Sequence, residues 1–531
     1  METVGMATKV KARKKRTRSR SGKFRLAVLG KPSGVIQPRV QEVGPERFGI
    51  VAIDCAKARS KWMLADFYGK VLIPPTTVEH QRTAFQLAVC QLKQAQEQHQ
   101  LKDTIVCIEM TGIYHKPVWR AFRKAGFETR LVHPFASSHY RLPEHGDIKT
   151  DDNDLAAIFR AAVNGFGLVE KEVPPIYQEM QILCRHRRDL VNKRSKLQCQ
   201  IRHHLEHCLP GLTALFDGSE LWIQATPVHL LKAIAEHGGT ADDVVEAGQQ
   251  GIAKWLKDAG IRFHQRTIDR VVVWASNAAT HDEMAPTYTR VWQTLLEDWL
   301  LKQKGIAELE RNIASVFVQT PYVLLLSHPG INVVSGAELA GELGPIENYA
   351  SAKAVSGRSG LFPSRYQSDQ VDRGGNLSRF RNGRLRAAWL LVADNMTKCN
   401  AYWRQKATVW KAQGHDPRDI RCRVANRLTR TVFQMIFGRR LYQHPSRLDR
   451  SYVMEKLLVY HREHQTAPHV IVRDLEQAAV QIPKTSHKDE AKPLVAAYEK
   501  SRRSRRREPQ ALATLLVAVL ARLGVDDLES K

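Results

Sequence analysis

The chain has few of the features that mark small secreted or membrane-spanning proteins. Only eight cysteines occur among its 531 residues, and no two of them form a Cys-x-x-Cys pair. This argues against a zinc ribbon and against a disulfide framework, and it favours a reducing compartment. The longest apolar run, ALATLLVAVLARL at 511–523, is too short for a bilayer and contains an arginine. The N-terminal residues lack the apolar segment of a secretory signal.

Acidic residues are scarce compared with basic ones. The chain has 81 Lys and Arg against 54 Asp and Glu, a formal net charge of +27. This excess predicts a polyanionic partner, with nucleic acid as the first interpretation. An anionic membrane surface is the second, and it is weaker because the basic helices lack a clean Trp/Leu face. Since 43% of the residues are hydrophobic, the chain can bury a substantial core.

Composition and hydrophobic periodicity divide the chain into five predicted segments. They are a basic disordered tail at 1–46, an α/β domain at 47–170, a helical and coiled-coil region at 171–318, a second domain at 319–440 and a helical extension at 441–531. The tail is either simply solvated or an arm that tracks phosphates. The extension has no residue pattern to which we assign chemistry.

Strand and helix patterns alternate in the α/β segment. Three strands come first, in FGIVAIDCA, KWMLADFYG and KVLIPP. A helix, the strand TIVCIEM, a second helix, a further strand and a closing helix follow them. Three strands followed by alternating helices and strands predict a mixed sheet with helices packed on it.

Two long helical patterns stand on either side of a segment at 210–285, which we predict only as a helical insertion. In the first, at 176–208, Leu183, Leu190 and Leu197 recur every seven residues. The second covers residues 290–318. Two readings stay open: the helices pair as an antiparallel coiled-coil arm, or they belong to an ordinary helical core.

Four carboxylates are placed so that they can meet in the α/β segment. Asp54 ends the first strand and Glu109 ends TIVCIEM, while Asp151 and Asp154 share one face of the closing helix. If the first and fourth strands are neighbours, the four carboxylates converge, and they repel one another unless cations lie between them. Oxygen ligands suit Mg²⁺, and two such ions clamp a phosphodiester during displacement. Alternatively, Asp151 is a plain charge at a helix N-terminus and Glu109 a surface residue.

Three short motifs resemble the acidic motifs of the insertion sequence 110 family of transposases, the DEDD transposases: IDCAK (53–57), EMTGIY (109–114) and KTDDND (149–154). The resemblance implies that residues 47–170 form a RuvC-like, ribonuclease H-like catalytic domain. It also implies a tetrad that binds Mg²⁺, as two ions: Asp54, Glu109, Asp151 and Asp154. The resemblance covers 48–205 and 320–440.

The stretch GLFPSRYQSDQVDRGGNLSRFRNGRLRAAW is similar to the second, mainly helical transposase domain of the same family. Ser368 stands at the position of the family's serine, and Asp369 follows it where the family usually has glycine. The resemblance implies that Ser368 is a nucleophile that forms a covalent 5′-phosphoserine link to DNA. A serine needs activation, and a metal at the acidic site could supply it if the two domains meet, in one chain or across subunits.

Other residues near Ser368 compete for roles at this site. Ser364, Ser378 and Tyr366 are rival nucleophiles, and Ser368 itself could be a turn serine in a polar loop. Five arginines are candidates for holding phosphates, although solvated surface positions are the simpler interpretation. They are Arg365, Arg373, Arg379, Arg384 and Arg386.

The resemblance implies a transposase or site-specific recombinase that cuts and rejoins double-stranded DNA. It further implies a homo-oligomer, either a dimer or a tetramer, a guide (bridge) RNA as partner, and the cytoplasm of a bacterium or archaeon. One alternative is a RuvC-like endonuclease or junction resolvase without a serine step, against which Ser368 argues. The other is a non-catalytic DNA-binding protein derived from a transposase. Four clustered acids argue against it, because they repel phosphate.

Overall fold

The computed structural model describes residues 36–141, 150–169, 173–216, 220–223, 225–368, 371–379, 381–442 and 450–483. The chain forms two compact units, which divide between Glu172 and Val173. The described part of the first unit is α/β, and that of the second is mostly helical. No helix in these ranges is long and apolar enough to cross a membrane.

A mixed sheet forms the centre of the first unit. Its described strands lie in the order β3-β2-β1-β4-β5-β6. Their bounds are β1 Phe48–Cys55, β2 Arg59–Asp66, β3 Val71–Glu79, β4 Asp103–Glu109, β5 Glu128–Val132 and β6 Leu168–Val169. β1 pairs antiparallel with β2 and parallel with β4, and β4 pairs parallel with β5. The predicted mixed sheet is confirmed, and the first and fourth strands are neighbours.

Helices cover both faces of this sheet. They are α1 Gln37–Val43, α2 Arg82–Gln98, α3 His115–Lys124, α4 Pro134–His139 and α5 Asp151–Val163. Alternate residues of β1 enter two cores: Val51 and Ile53 pack in one, and Ile50 and Ala52 in the other. Burial on both faces explains why β1 reads as a continuous apolar run rather than an alternating one.

The predicted boundary of the disordered tail at residue 46 is wrong, because α1 lies inside that segment. Ile36 and Val40 are buried in the core that also contains β1. Arg39 donates to Asp103 and to Glu128, each at 2.7 Å. Proline and glycine around this short helix made it resemble a linker. Residues 1–35 of the predicted tail lie outside the described residues.

Two long helices form the spine of the second unit: α6, Pro175–Cys208, and α11, Ala285–Phe317. Arg187 of α6 pairs with Glu310 of α11 near one end, and His207 stacks on Tyr288 near the other. The helices therefore run antiparallel along each other, as the first of the two readings predicts.

The insertion between these helices is helical, as predicted. Its described helices are α7 Glu220–Ile223, α8 Ala225–Glu236, α9 Ala241–Asp258 and α10 Gln265–Ser276. They bury apolar side chains against one end of the α6–α11 pair, where Ile201, Leu205 and Trp292 belong to the same core. The insertion is thus a small subdomain mounted on the spine.

A second core of this unit contains the remaining helices. These are α12 Val333–Leu343, α13 Ala352–Ser359, α14 Gly383–Cys399, α15 Ala401–Ala412, α16 Pro417–Phe437, α17 Arg450–Glu463 and α18 Pro468–Gln481. Two strands, β7 Pro363–Ser368 and β8 Val371–Leu377, lie between α13 and α14 in the chain. β7 and β8 form an antiparallel hairpin. The apolar run at 511–523 lies outside the described residues.

The helices of the predicted C-terminal extension belong to this same core. Leu457 of α17 and Leu475 of α18 are fully buried in it. The amino group of Lys456 donates to the carbonyl oxygens of Leu326, His328 and Ile331, at 2.8, 3.1 and 3.0 Å. The predicted boundary at 440 therefore does not separate two compact bodies, because α17 and α18 pack into the helical domain.

Candidate active site

Two neighbouring parallel strands bring the first two predicted carboxylates together. Ile53 of β1 is in register with Ile108 of β4, so Asp54 and Glu109 follow side by side at the carboxyl ends of their strands. Both side chains are half-buried.

The N-terminus of α5 supplies the other two carboxylates. Thr150 caps the helix, and its side chain accepts from the backbone N–H of Asn153 at 3.2 Å. The cap fixes Asp151 as the first helical residue and places Asp154 on the same face one turn later. Asp154 is only 5% exposed, and α5 packs on β1 and β4. The helix dipole favours carboxylates here.

The charges of this cluster act on one another. Burial raises the pKa of Asp54 to about 6, and repulsion by Glu109, Asp154 and Asp151 adds to the effect in that order. The charges of the other three residues predicted as a tetrad therefore reach Asp54. Repulsion of this kind is what a bound cation would relieve.

Two basic side chains lie at the edge of the cluster. Arg141 donates from Nε to Oδ1 of Asp154 at 2.8 Å, and its Nη2 lies 2.6 Å from the same oxygen. Lys61 of β2, the register partner of Asp54, pairs with Asp152 at 2.7 Å. In the described part of the chain, no basic group lies within 4.0 Å of Asp54 or Glu109.

Ser137 is a residue of this site that the sequence analysis missed. It lies on α4, is 1% exposed, and its hydroxyl donates to Oε1 of Glu109. Thr111 donates to the other oxygen, Oε2, at 3.4 Å. The helix α4 follows β5 directly, with Pro134 at its start and the side chain of His133 accepting from Phe135 N–H. The sequence signal for the start of α4 was the pair His133-Pro134, which directly follows β5.

The donor chemistry of the cluster fits a divalent cation, and its geometry is not that of a closed metal site. Carboxylate oxygens are the ligands that Mg²⁺ prefers. Across the described ranges, no group of three or more His, Cys, Asp or Glu side chains is arranged to hold a metal ion. A cation bound by all four carboxylates would share Asp154 with Arg141.

The β7–β8 hairpin of the second unit carries Ser368. This serine is the last residue of β7, pairs with Val371 across the turn, and is exposed like every other residue of its strand. No described side chain forms a hydrogen bond with its hydroxyl. Asp369 lies outside the described residues. Arg365 donates from Nε and Nη2 to the two oxygens of Asp372, both at 2.8 Å.

The rival hydroxyl groups on this hairpin are in different environments from Ser368. Ser364 donates across the hairpin to the carbonyl oxygen of Asn376 at 2.9 Å. Ser378 is only 8% exposed. Tyr366 is exposed and lies opposite Arg373. Ser364 and Ser368 are thus both exposed, and the Ser364 hydroxyl is engaged across the hairpin.

The candidate phosphate-binding arginines also differ from one another. Arg386 is committed to the fold: it donates to the carbonyl oxygens of Ser359 at 3.0 Å, Gly360 at 2.7 Å and Ser378. Arg384 is exposed and lies 3.9 Å from Asp189. Arg373 and Arg379 are exposed. Arg386 is therefore the one whose guanidinium is least available to a phosphate.

Comparison with known proteins matches both parts of the chain that hold these candidates. A family model for DEDD transposases of the IS110 type, described as "Transposase", matches residues 51–210. A second, described as "Transposase IS116/IS110/IS902 family", matches residues 322–408. Both ranges are thus similar to transposases of the IS110 type. The four carboxylates lie in the first matched range and Ser368 in the second.

One curated relative is the "Insertion element IS116 uncharacterized 44.8 kDa protein" of Streptomyces clavuligerus. It is 26% identical over 258 residues, which cover 48% of this chain and 61% of the relative. The chain thus spans about three fifths of the length of that relative. The helices α8, α9, α10, α17 and α18 lie outside both matched ranges.

Proposed function

We propose that this protein is a transposase that cuts and rejoins double-stranded DNA. The observation that carries the proposal is the acidic cluster around Asp54: burial, and then the charges of Glu109, Asp154 and Asp151, raise the pKa of Asp54 to about 6. A protein that only bound DNA would gain nothing from such a cluster, because carboxylates repel phosphates. The similarity of both matched ranges to transposases of the IS110 type supports the same conclusion.

In this proposal the four carboxylates hold Mg²⁺, as two ions. When bound, Mg²⁺ would polarise the phosphodiester and offset the charge that develops during displacement. Ser137 holds Glu109 by a buried hydrogen bond, and Arg141 holds Asp154. Both contacts fix the direction of a carboxylate before the substrate arrives, which is the role that supporting residues have around metal ligands.

Ser368 is the proposed nucleophile. Its Oγ attacks the phosphorus, the bond to the 3′-oxygen breaks, and the DNA is left with a 3′-hydroxyl and a 5′-phosphoserine. The 3′-hydroxyl of the exchanged strand then attacks the phosphoserine and releases the serine, so that the bond energy is conserved. The exposure of Ser368 at the end of β7 supports its access to a DNA strand.

The partners in this proposal follow from the family resemblance and from charge. A net charge of +27 is compatible with DNA and with a guide (bridge) RNA. Exchange of strands between two duplexes needs more than one nucleophile, and we therefore propose a homo-oligomer. Such a protein would act in the cytoplasm of a bacterium or archaeon, where its DNA lies.

A metal-dependent endonuclease without a serine step is the second candidate. It is favoured by one observation: no described side chain forms a hydrogen bond with the Ser368 hydroxyl, so no described base is in place to accept its proton. In that case the acidic cluster would activate water, and the hairpin would only bind DNA.

A cleavage assay separates the two candidates. Purified protein, Mg²⁺ and the transcript that flanks its gene are mixed with DNA that carries the ends of its element. Wild type is compared with Ser368→Ala and Asp54→Ala, and the products are resolved on denaturing gels before and after protease. We expect a DNA–protein adduct in wild type and none in either variant.

Two control variants make the result specific. Ser364→Ala removes a hydroxyl from the same strand, and Asp152→Asn removes a carboxylate that is already paired with Lys61. Both should still form the adduct. Cleavage without an adduct that survives Ser368→Ala but is lost in Asp54→Ala would make the protein a metal nuclease. Omitting the transcript tests the guide RNA separately.

A further inference from the structure

A polar cavity of about 410 Å³ lies in the helical unit, and none of the candidate active-site residues lines it. Its walls come from α6, from α11 and from the loop that follows α17. Arg187, Arg194 and Arg311 line it together with Glu310 and His464. A cavity of this size is within the range that holds small ligands.

The cavity interrupts the apolar seam between the two long helices. On α11 the buried positions Trp292, Trp299, Ile306 and Ile313 recur every seven residues. Glu310 and Gln303 fall between them on the side that faces α6, where they contact Arg187 and Arg194. Charged groups at seam positions lower the stability of paired helices, so their presence here needs a compensating role.

Positive charge exceeds negative charge around the cavity. Arg187 donates to Oε1 of Glu310 at 2.7 Å, and His464 contacts Oε2 of the same carboxylate at 2.8 Å. Glu310 is thus shared by two basic groups. Besides Glu310, the lining of the cavity contains one other carboxylate, Glu463, against its three arginines.

Arg194 and Arg311 line the cavity with no carboxylate paired to either in the described ranges. Nη1 of Arg311 donates to the carbonyl oxygen of His464 at 3.2 Å. Nη1 of Arg194 donates to Gln303, whereas its Nε is buried without a hydrogen-bond partner. Burial, and then the charge of Arg187, lowers the pKa of the half-buried Arg194. Removing such a group from water without an acceptor is costly. An anion in the cavity would supply both the missing charge and the missing acceptor.

We propose that this cavity binds a phosphate group, with Arg194 as its main ligand and Arg311 beside it. The planar guanidinium offers paired N–H donors that match phosphate oxygens. The phosphate could belong to a small molecule or to a nucleic-acid strand. The inference does not depend on the proposed cutting of DNA, since neither the acidic cluster nor Ser368 lines the cavity.

The test uses the full chain and pyrophosphate as the probe. Binding is measured by titration calorimetry and by the shift of the unfolding temperature, with sodium chloride at equal ionic strength as the reference. The variants are Arg194→Gln, Arg194→Lys and Lys193→Gln, the last removing an exposed positive charge next to the cavity residue. We expect Arg194→Gln to weaken binding roughly 10- to 100-fold, Arg194→Lys to weaken it less, and Lys193→Gln to leave it unchanged.

Equal pyrophosphate affinity in wild type and Arg194→Gln would overturn the proposal. The proposal would also be wrong if wild type bound no pyrophosphate and Arg194→Gln unfolded at a lower temperature than wild type. In that case the polar residues between α6 and α11 would only set the register of the two helices. If Arg194→Gln does not fold, Arg311→Gln is judged by the same measure. Displacement of pyrophosphate by a single-stranded oligonucleotide would assign the site to nucleic acid, and its absence would assign it to a small phosphate.

Discussion

The acidic cluster and the serine hairpin are held by the fold in opposite ways. Asp154 is 5% exposed, and Ser137 fixes Glu109 from a position that is 1% exposed. Both strands of the cluster lie inside a mixed sheet. Ser368, in contrast, ends a strand whose every residue is exposed, in a sheet of two strands.

The difference matches the proposed tasks of the two regions. Groups that stabilise charge must be oriented in advance and shielded from water, since reorientation during the reaction would cost most of their effect. A nucleophile that joins itself to a DNA strand must instead be accessible. An isolated two-stranded hairpin is only marginally stable in water, and we therefore infer that DNA orders the hairpin, whereas the cluster is preformed.

The largest effect is expected when the cluster loses one carboxylate. Asp54→Asn keeps the shape of the side chain and removes a proposed metal ligand. We expect the rate of DNA cleavage at saturating Mg²⁺ to fall by about 10³-fold or more, because the displacement loses much of its charge stabilisation. The unfolding temperature without metal should not fall, since a neutral amide at this position relieves the repulsion. Asp152→Asn, in which the lost partner is Lys61, should cleave at close to the wild-type rate.

A smaller loss is expected when the support of a carboxylate is removed. Ser137→Ala deletes the buried hydroxyl that donates to Glu109. We expect cleavage to fall roughly 10- to 100-fold, with a higher Mg²⁺ concentration needed for half-maximal rate. The neighbour Ser138 is exposed and donates only to the Phe135 carbonyl at 3.0 Å, so Ser138→Ala is the matched control. If Ser137→Ala and Ser138→Ala needed the same Mg²⁺ concentration for half-maximal rate, Ser137 would have no role at the site.

The pH dependence of stability should also separate the two regions. The folded pKa of Asp54 is about 6, above its ordinary value of 3.8. The unfolded chain therefore releases this proton first as the pH rises, and folded metal-free protein loses stability between about pH 4 and pH 6. We expect Asp54→Asn to unfold at a higher temperature than wild type in EDTA above this window and at the same temperature below it.

Ser368→Ala is the control for this pH dependence, because it changes the hairpin and leaves the acidic cluster intact. Its unfolding temperature should differ from that of wild type by the same small amount at every pH. If wild type became increasingly more stable than Asp54→Asn as the pH rises, the assigned direction of the Asp54 pKa shift would be wrong.

The sequence predicted the strands and the four carboxylates but not what supports them. Hydrophobic patterns marked β1 and β4, and their adjacency brought Asp54 beside Glu109. Ser137 and Arg141 reach the cluster only through the path of the chain after β5, which no periodic pattern encodes. Local sequence therefore indicates carboxylates at strand ends better than it indicates the groups that hold them.

The long helices show a similar limit. The leucine repeat suggested that α6 pairs with α11, yet Leu183 and Leu190 are only half-buried, whereas Met180 and Cys184 of the same helix are buried in the core. A heptad count locates a helix pair more reliably than its buried face, because the face depends on the partner. The sequence pattern also did not indicate the arginines between the two helices, because their position at the contact depends on the partner helix.

The smallest effect concerns an ion pair on the exposed hairpin. Arg365 is held by both oxygens of Asp372, so a phosphate must compete with that carboxylate. We expect Asp372→Asn to tighten DNA binding by a few fold at low salt and to steepen the salt dependence by about one unit, because one more cation becomes free. Arg365→Gln should do the reverse. Arg365 and Asp372 form an exposed ion pair, and such a pair contributes little to stability. The pair of Arg141 with Asp154 has a different role, because it orients a buried carboxylate. If Asp372→Asn instead weakened binding, the pair would be holding the hairpin in shape, and the inference that DNA orders this region would be wrong.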